Sequence, residues 1–242
     1  MSGDEVAELS TRIRNLAWSG LGESLDAEGC AVLPGLLTGE ECAAMQALYS
    51  QAARFRKQVV MAKHGFGRGH YQYFAAPLPL EVATLREACY PPLSEVANRW
   101  QARLGDDKRY PSTLPAYLQQ CAALGQALPT PLLLRYEAGD YNCLHQDLYG
   151  DEVFPLQVAV LLSRPGRDFS GGEFVMTEQR PRMQSRPIVL PFNQGDAIVF
   201  ATRFRPVQGV RGTYRVAMRH GVSRLRSGER YTLGLIFHDA LT

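Results

Sequence analysis

No run of apolar residues in this chain approaches the ~20 needed to cross a bilayer, so no transmembrane helix is expected. The acidic start Met1-Ser2-Gly3-Asp4-Glu5 has no apolar stretch behind it, which argues against a secretory signal. The five cysteines (30, 42, 89, 121 and 143) are widely spaced, with no C-x-x-C pair. That spacing excludes a disulfide framework or a zinc knuckle and predicts a reducing, cytoplasmic setting. Charge of one sign is also lacking: 26 Lys and Arg against 24 Asp and Glu leave a net +2, so the molecule as a whole is not strongly basic. Internal repeats and low-complexity segments are absent. What remains is an ordinary globular composition of 242 residues, 45% hydrophobic and 21% charged, enough for one domain with a full core.

The pattern changes near residue 130. Before it, helices are expected. Val6, Leu9, Ile13, Leu16 and Ala17 have the three-and-four spacing of an amphipathic helix over 5–21. Residues 31–37 form a short strand or turn. Thr38 with Glu41 makes a capping box for a helix over 39–55. Residues 80–104 read as helical but broken at Pro91-Pro92, with Trp100 in the core. After residue 130 the pattern predicts strands at 132–136, 157–162, 172–176, 188–190, 197–200, 214–220 and 231–238. Turns between them include Asn193-Gln194-Gly195-Asp196 and Ser227-Gly228. The expectation is a single α+β domain over 1–242, with helical support and loops in 1–130 and a β core in 131–242.

Four residues in the β half carry the chemistry. In Leu144-His145-Gln146-Asp147, residues two apart on a strand share a face, so His145 and Asp147 can aim into one cavity. His220 ends an alternating strand. Two histidines and one carboxylate make the facial triad of non-haem iron(II) oxygenases, which leaves positions open for substrate and oxygen. Ten residues on, Arg230, Thr232, Gly234, Ile236 and His238 share one strand face, opposite the apolar Tyr231, Leu233, Leu235 and Phe237. An inward guanidinium is costly without an anion, and Arg230 with Thr232 can bind a carboxylate. His238 is a rival third ligand, ranked below His220 because no Arg or Lys follows it.

Together these elements resemble the 2-oxoglutarate and iron(II)-dependent oxygenases, in particular the prolyl-hydroxylase-like members. Three segments add to the likeness: Tyr136-x-x-Gly139-Asp140, Phe169-Ser170-Gly171-Gly172-Glu173 and Gly195-Asp196-Ala197-Ile198-Val199-Phe200. The resemblance implies a double-stranded β-helix (jelly-roll) core with N-terminal helices packed on it. It also implies iron(II) on His145, Asp147 and His220. The co-substrate 2-oxoglutarate would sit on Arg230 and Thr232, aided by Tyr136, and O2 would be consumed with release of succinate and CO2 as a substrate is hydroxylated.

The prime substrate is less legible. The glycine-spaced stretch 64–74 is expected to form a loop over the active-site mouth, with Arg68, His70, Tyr71 and Tyr73 as substrate-contact candidates. Eight arginines (203, 205, 211, 215, 219, 224, 226 and 230), with Phe204 and Tyr214 among them, could meet phosphates, but read first as solvated outward strand positions. The arrangement also looks like a bacterial group whose family name proposes oxidative repair of alkylated DNA. The alkylation-repair dioxygenases have a second arginine six residues after the first; here that position is Ile236. A peptide or amino-acid side chain is therefore placed first as substrate. Demethylation of alkylated nucleic-acid bases is the alternative, and a catalytically silent binding module the second alternative.

Overall fold

The computed structural model describes residues 3–147 and 150–241. The chain begins with α1 (Gly3–Arg14), α2 (Trp18–Glu28), β1 (Cys30–Leu33) and α3 (Gly39–Ala47). The strands β2 (Phe55–Val60), β3 (Gly67–Arg68) and β4 (His70–Phe74) follow. Then come α4 (Leu80–Arg103), α5 (Leu114–Ala123), β5 (Gln126–Leu128), β6 (Leu132–Glu137) and β7 (Tyr141–His145). The rest is all β: β8 (Leu156–Leu161), β9 (Phe169–Gly171), β10 (Phe174–Gln179), β11 (Arg186–Leu190) and β12 (Ala197–Ala201). It closes with β13 (Phe204–Gly209), β14 (Gly212–Val222), β15 (Leu225–Leu235) and β16 (Ala240–Leu241).

Two antiparallel sheets make the core. The major sheet runs β1-β12-β8-β15-β6-β4-β2, with β9 also on β15; the minor sheet runs β11-β10-β14-β7-β3, with β13 also on β14. This is the expected jelly-roll core with helices packed on it. The strands are rich in β-branched and aliphatic residues. Those of β8 and β12 are buried at every position, as two-sided burial between neighbouring strands and covering elements demands. Among the described residues, no helix is long and apolar enough to cross a membrane.

Several elements depart from expectation for identifiable reasons. The helix expected over 5–21 is two helices. The Trp18 indole donates to the Ile13 carbonyl at 2.8 Å, supplying a partner that a continuing helix would not need and turning the chain. The Thr38–Glu41 capping box is present, but α3 stops at Ala47, because Phe55 is already committed to β2 and stacks on Phe74 at 4.8 Å. α4 passes unbroken through Pro91 and Pro92. Each proline costs a helix about 3 kcal/mol, and α4 offsets this by burying residues along its length, Trp100 included. Ser94 also donates to the Pro91 carbonyl at 2.7 Å. Residue 130 is not the boundary between helical support and β core, since β1, β2 and β4 join the major sheet and β3 the minor. Ser227-Gly228 is not a turn: β15 runs straight through it. Gly228 has φ +77, and a Cβ there would lie 2.0 Å from the Asp168 carbonyl oxygen, so the glycine permits a close strand approach.

Candidate active site

The antiparallel pairing of β14 with β7 sets His220 directly opposite His145, with ring centroids 4.2 Å apart. The register then slips before the next pair, Val222 with Asn142. Gly221 allows that bulge, because a Cβ there would fall 2.6 Å from the Asn142 carbonyl oxygen. β7 ends at His145, so Asp147 lies just past the strand rather than on it. Its carboxylate still reaches both rings: Oδ1 is 3.4 Å from His145 Nε2 and Oδ2 is 3.4 Å from His220 Nε2. One possible ligand atom from each of the three lies within 4.8 Å of the others.

The intervening Gln146 anchors the turn between His145 and Asp147. Its amide donates to the Arg203 carbonyl at 3.0 Å and the Met218 carbonyl at 2.8 Å. His145 Nδ1 lies 2.7 Å from the Cys143 carbonyl oxygen. A carbonyl only accepts, so Nδ1 carries the proton and Nε2 presents its lone pair to the cluster. Phe200 holds the buried His220 ring at 4.5 Å. Burial alone would raise the Asp147 pKa, but the two imidazoles outweigh it and hold the carboxylate well below its usual range. Burial pushes the His220 pKa down. It acts the same way on His145, but there Asp147 and the Cys143 carbonyl prevail and the net shift is upward.

A cavity of about 200 Å³ opens from this cluster. Among its lining residues is Arg230, 1% exposed. Its Nη1 donates to Thr232 Oγ1 at 2.6 Å, while Nε and Nη2 are buried without a partner. Desolvation pulls its pKa down to about 10, against the opposing pull of Tyr136 and Glu173. The guanidinium carbon sits 5.7 Å from the Tyr136 ring centroid. The Tyr136 hydroxyl is buried; Asn142 is near enough to act on its titration, yet no well-formed hydrogen bond joins them. Two unmet guanidinium donors beside a phenol are the donor set that a carboxylate accepts from.

The strand parity of β15 holds: Arg230, Thr232, Gly234 and Ile236 all line the cavity. His238, on the same parity, does not join the three-residue cluster. It accepts from the Phe154 amide at 3.2 Å, and burial lowers its pKa to about 4. Residues 64–74 are not a loop but mostly the strands β3 and β4, with Phe66, Tyr71 and Tyr73 at the cavity. Arg68 and His70 are not among its lining. Of the arginines expected on the surface, Arg205 is buried and ion-paired with Glu178, an anchor rather than a phosphate contact. Arg215 and Arg219 do point outward, alternating with the buried Val216, Met218 and His220.

One cavity residue escaped sequence reasoning. Gln157 is 4% exposed and lines the cavity, and its Nε2 is buried without a hydrogen-bond partner. The signal was present: a single amide interrupts the apolar run Pro155-Leu156-Gln157-Val158-Ala159-Val160-Leu161. Its place along the sheet matters. Arg230 pairs with Tyr136, Thr232 with Leu134 and Leu161, and Gly234 with Leu132 and Ala159. Gln157 lies two residues beyond Ala159, about 20 Å along the strands from Arg230 at ~3.3 Å per residue.

A jelly-roll with a His-x-Asp…His cluster and a buried arginine ten residues on defines an oxygenase of the iron(II) and 2-oxoglutarate class. Comparison with known proteins agrees. Residues 69–240 match the family described as an oxygenase catalysing oxidative methylation of damaged DNA, and the chain belongs to that family. Uncharacterised proteins from two strains of Mycobacterium tuberculosis are 46% identical over 195 residues, covering 79% of this chain and 84% of theirs. Among solved structures, a 2OG-Fe(II) oxygenase-family oxidoreductase from Burkholderia pseudomallei matches with TM-score 0.56 at 18% identity, over 94% of this chain and 95% of that one. A prolyl hydroxylase from Trichoplax adhaerens, solved with a peptide fragment of hypoxia inducible factor, matches with TM-score 0.52 at 14% identity, over 99% and 94%. The protein is an iron(II) and 2-oxoglutarate-dependent oxygenase.

Proposed function

We propose that this enzyme hydroxylates the alkyl group of an alkylated base in nucleic acid. The observation that carries the reading is the unmet Gln157 amide at the far end of the cavity from Arg230. His145, Asp147 and His220 would hold the iron through Nε2, a carboxylate oxygen and Nε2. Arg230 and Thr232 would take the distal carboxylate of 2-oxoglutarate, with Tyr136 beside it. The iron and 2-oxoglutarate together supply the oxidising power when bound, with release of succinate and CO2.

A five-carbon dicarboxylate, built of ~1.5 Å bonds, spans only about 6–7 Å. Seated on Arg230 it falls well short of Gln157, ~20 Å away along the strands. The Gln157 amide therefore serves the prime substrate, donating to an acceptor such as the carbonyl oxygen of a base. Tyr71 and Tyr73 flank the same space, their rings edge to face at 5.4 Å, and offer a face for a planar ring. Because the cavity is small and the triad sits inside it, a base must leave its stack to reach the iron. The family description supports the same substrate class. The peptide or amino-acid reading rests on Ile236, where the alkylation-repair dioxygenases have a second arginine, and on a likeness to prolyl hydroxylases that shows the fold alone.

The deciding experiment offers the iron-loaded enzyme N-methylated oligonucleotides, proline-containing peptides and free amino acids. It follows succinate and, for the methylated substrates, formaldehyde. Formaldehyde release matched to succinate with a methylated oligonucleotide is expected. Stimulation by a peptide or amino acid alone would replace this reading with the other. No 2-oxoglutarate turnover with any compound would favour a silent binding module.

A further inference from the structure

We propose that the β2–β4 edge of the major sheet, with the turn between β2 and β3, is a docking surface for single-stranded nucleic acid that presents one base to the cavity. This rests on the nucleic-acid reading above. The motivating observation is an asymmetry of charge. Between Glu41 and Glu81 the chain has none of its 24 carboxylates but five of its 26 cationic residues: Arg54, Arg56, Lys57, Lys63 and Arg68. A net charge of only +2 hides this segregation.

The fold places that segment at the cavity. Tyr73 lines the cavity, and its cross-strand partner is Lys57. Directly opposed residues share a face, so the exposed Lys57 stands beside Tyr73. The Arg56 guanidinium covers the Tyr73 ring at 4.8 Å. Lys63 is exposed on the turn between Met61 and Phe66, both of which line the cavity. Among the described residues, Lys57 and Lys63 form no ion pair. Arg68 has 62% of its side chain exposed, and its nearest carboxylate is Asp140 at 3.8 Å. Phe66 is 39% exposed and stacks on the exposed His64 with centroids 5.3 Å apart.

Cations for phosphates beside exposed rings for bases are the two components of single-strand binding surfaces. A continuous duplex would satisfy the cations but keep its bases stacked, out of reach of both Phe66 and the iron. The arginines of β14 do not compete for this role, because Arg215 and Arg219 point away from the cavity face.

The test is a fluorescence-anisotropy titration of an unmethylated single-stranded oligonucleotide at two salt concentrations, with the Mn(II)- and 2-oxoglutarate-loaded full chain. The comparison is between wild type, a Lys57→Glu/Lys63→Glu/Arg68→Glu variant, Phe66→Ala, and an Arg215→Glu/Arg219→Glu control. The wild type is expected to bind single strand more tightly than duplex. The triple variant should lose at least tenfold in affinity and flatten the salt slope by about two, since each lost single-strand phosphate contact removes ~0.7. It should retain 2-oxoglutarate affinity, which shows that it is folded. Phe66→Ala should lose affinity without changing the salt slope, while the control stays near wild type. A triple variant that binds like wild type would overturn the proposal. So would loss confined to the Arg215/Arg219 control, which would move docking to the other face and leave the base-oxidation reading intact. Failure of the wild type to bind any oligonucleotide also overturns it. In that case, demethylation of methylated nucleosides would preserve the base reading, and turnover of peptides alone would remove both.

Discussion

His145 and His220 face one another across adjacent antiparallel strands, rings 4.2 Å apart, and the Asp147 carboxylate bridges their Nε2 atoms at 3.4 Å on each side. Such a triangle brings together lone pairs that a divalent ion would take as ligands. His220→Ala and Asp147→Ala are expected to abolish stoichiometric Fe(II) or Co(II) binding under anaerobic titration, with the urea midpoint little changed. Full metal binding by His220→Ala would contradict the assignment.

Arg230 is buried with two unmet donors, so its loss should be felt by the co-substrate before anything else. Removing one charged partner from a buried carboxylate contact costs on the order of 2–5 kcal/mol. Arg230→Ala should therefore raise the 2-oxoglutarate Kd by roughly 30-fold or more, measured calorimetrically with Mn(II) in place of iron. Arg230→Lys should fall between, because a single ammonium cannot reproduce the two-pronged contact. An unchanged Kd in the alanine variant would remove Arg230 from the site.

On the proposed reading, Gln157 touches the prime substrate and not the co-substrate. Gln157→Leu keeps the bulk and removes the donor, so the prime-substrate KM should rise by about tenfold, the worth of one hydrogen bond of ~1.4 kcal/mol. The 2-oxoglutarate Kd should stay within twofold, given the ~20 Å between Gln157 and Arg230. A variant that weakens 2-oxoglutarate and spares the substrate would invert this arrangement.

His238 predicts a pH effect on stability. Burial lowers its pKa to about 4 in the folded state, against ~6.5 when unfolded. The unfolded chain therefore binds the extra proton first. The contribution is fully present above about pH 6.5 and is lost as pH falls toward 4. Between pH 7 and pH 4.5 this group should cost about 2 kcal/mol of unfolding free energy. His238→Asn retains an acceptor for the Phe154 amide and does not titrate, so urea unfolding at the two pH values should show a smaller drop in the variant. Equal drops would place the acid sensitivity elsewhere.

The chemistry was legible because it depends on residue type and short spacing. His145-x-Asp147, His220 and Arg230 ten residues on can be found without knowing how strands are ordered. The face shared by Arg230, Thr232, Gly234 and Ile236 follows from the period of two. Local signals also sufficed for the Thr38–Glu41 cap, whose hydrogen bonds close within one helical turn. Local signals misled where distant packing overrode them. Pro91-Pro92 breaks an isolated helix, yet α4 absorbs both because its buried residues hold it against the rest of the molecule. Ser227-Gly228 has the composition of a turn but is a point of close contact between β15 and the residues before β9, a fact that depends on Asp168, some sixty residues away in sequence.

The sequence by itself determined the class of reaction, since ligand identity and strand parity travel with the residues that bear them. Tertiary structure alone decided which polar groups are left without partners and which charges share a face. Gln157 lies in the cavity, far along the sheet from Arg230, only because β8 pairs with β15 at a fixed register. The cations of residues 54–68 become a surface at the cavity only because β2 and β4 form the sheet edge beside it. Arg205, one of eight similar arginines in sequence, was withdrawn from the surface by Glu178 on β10, across the intervening β14. Unmet hydrogen bonds and local fields are sums over neighbours in space, and those neighbours are assigned by strand order, which no local pattern encodes.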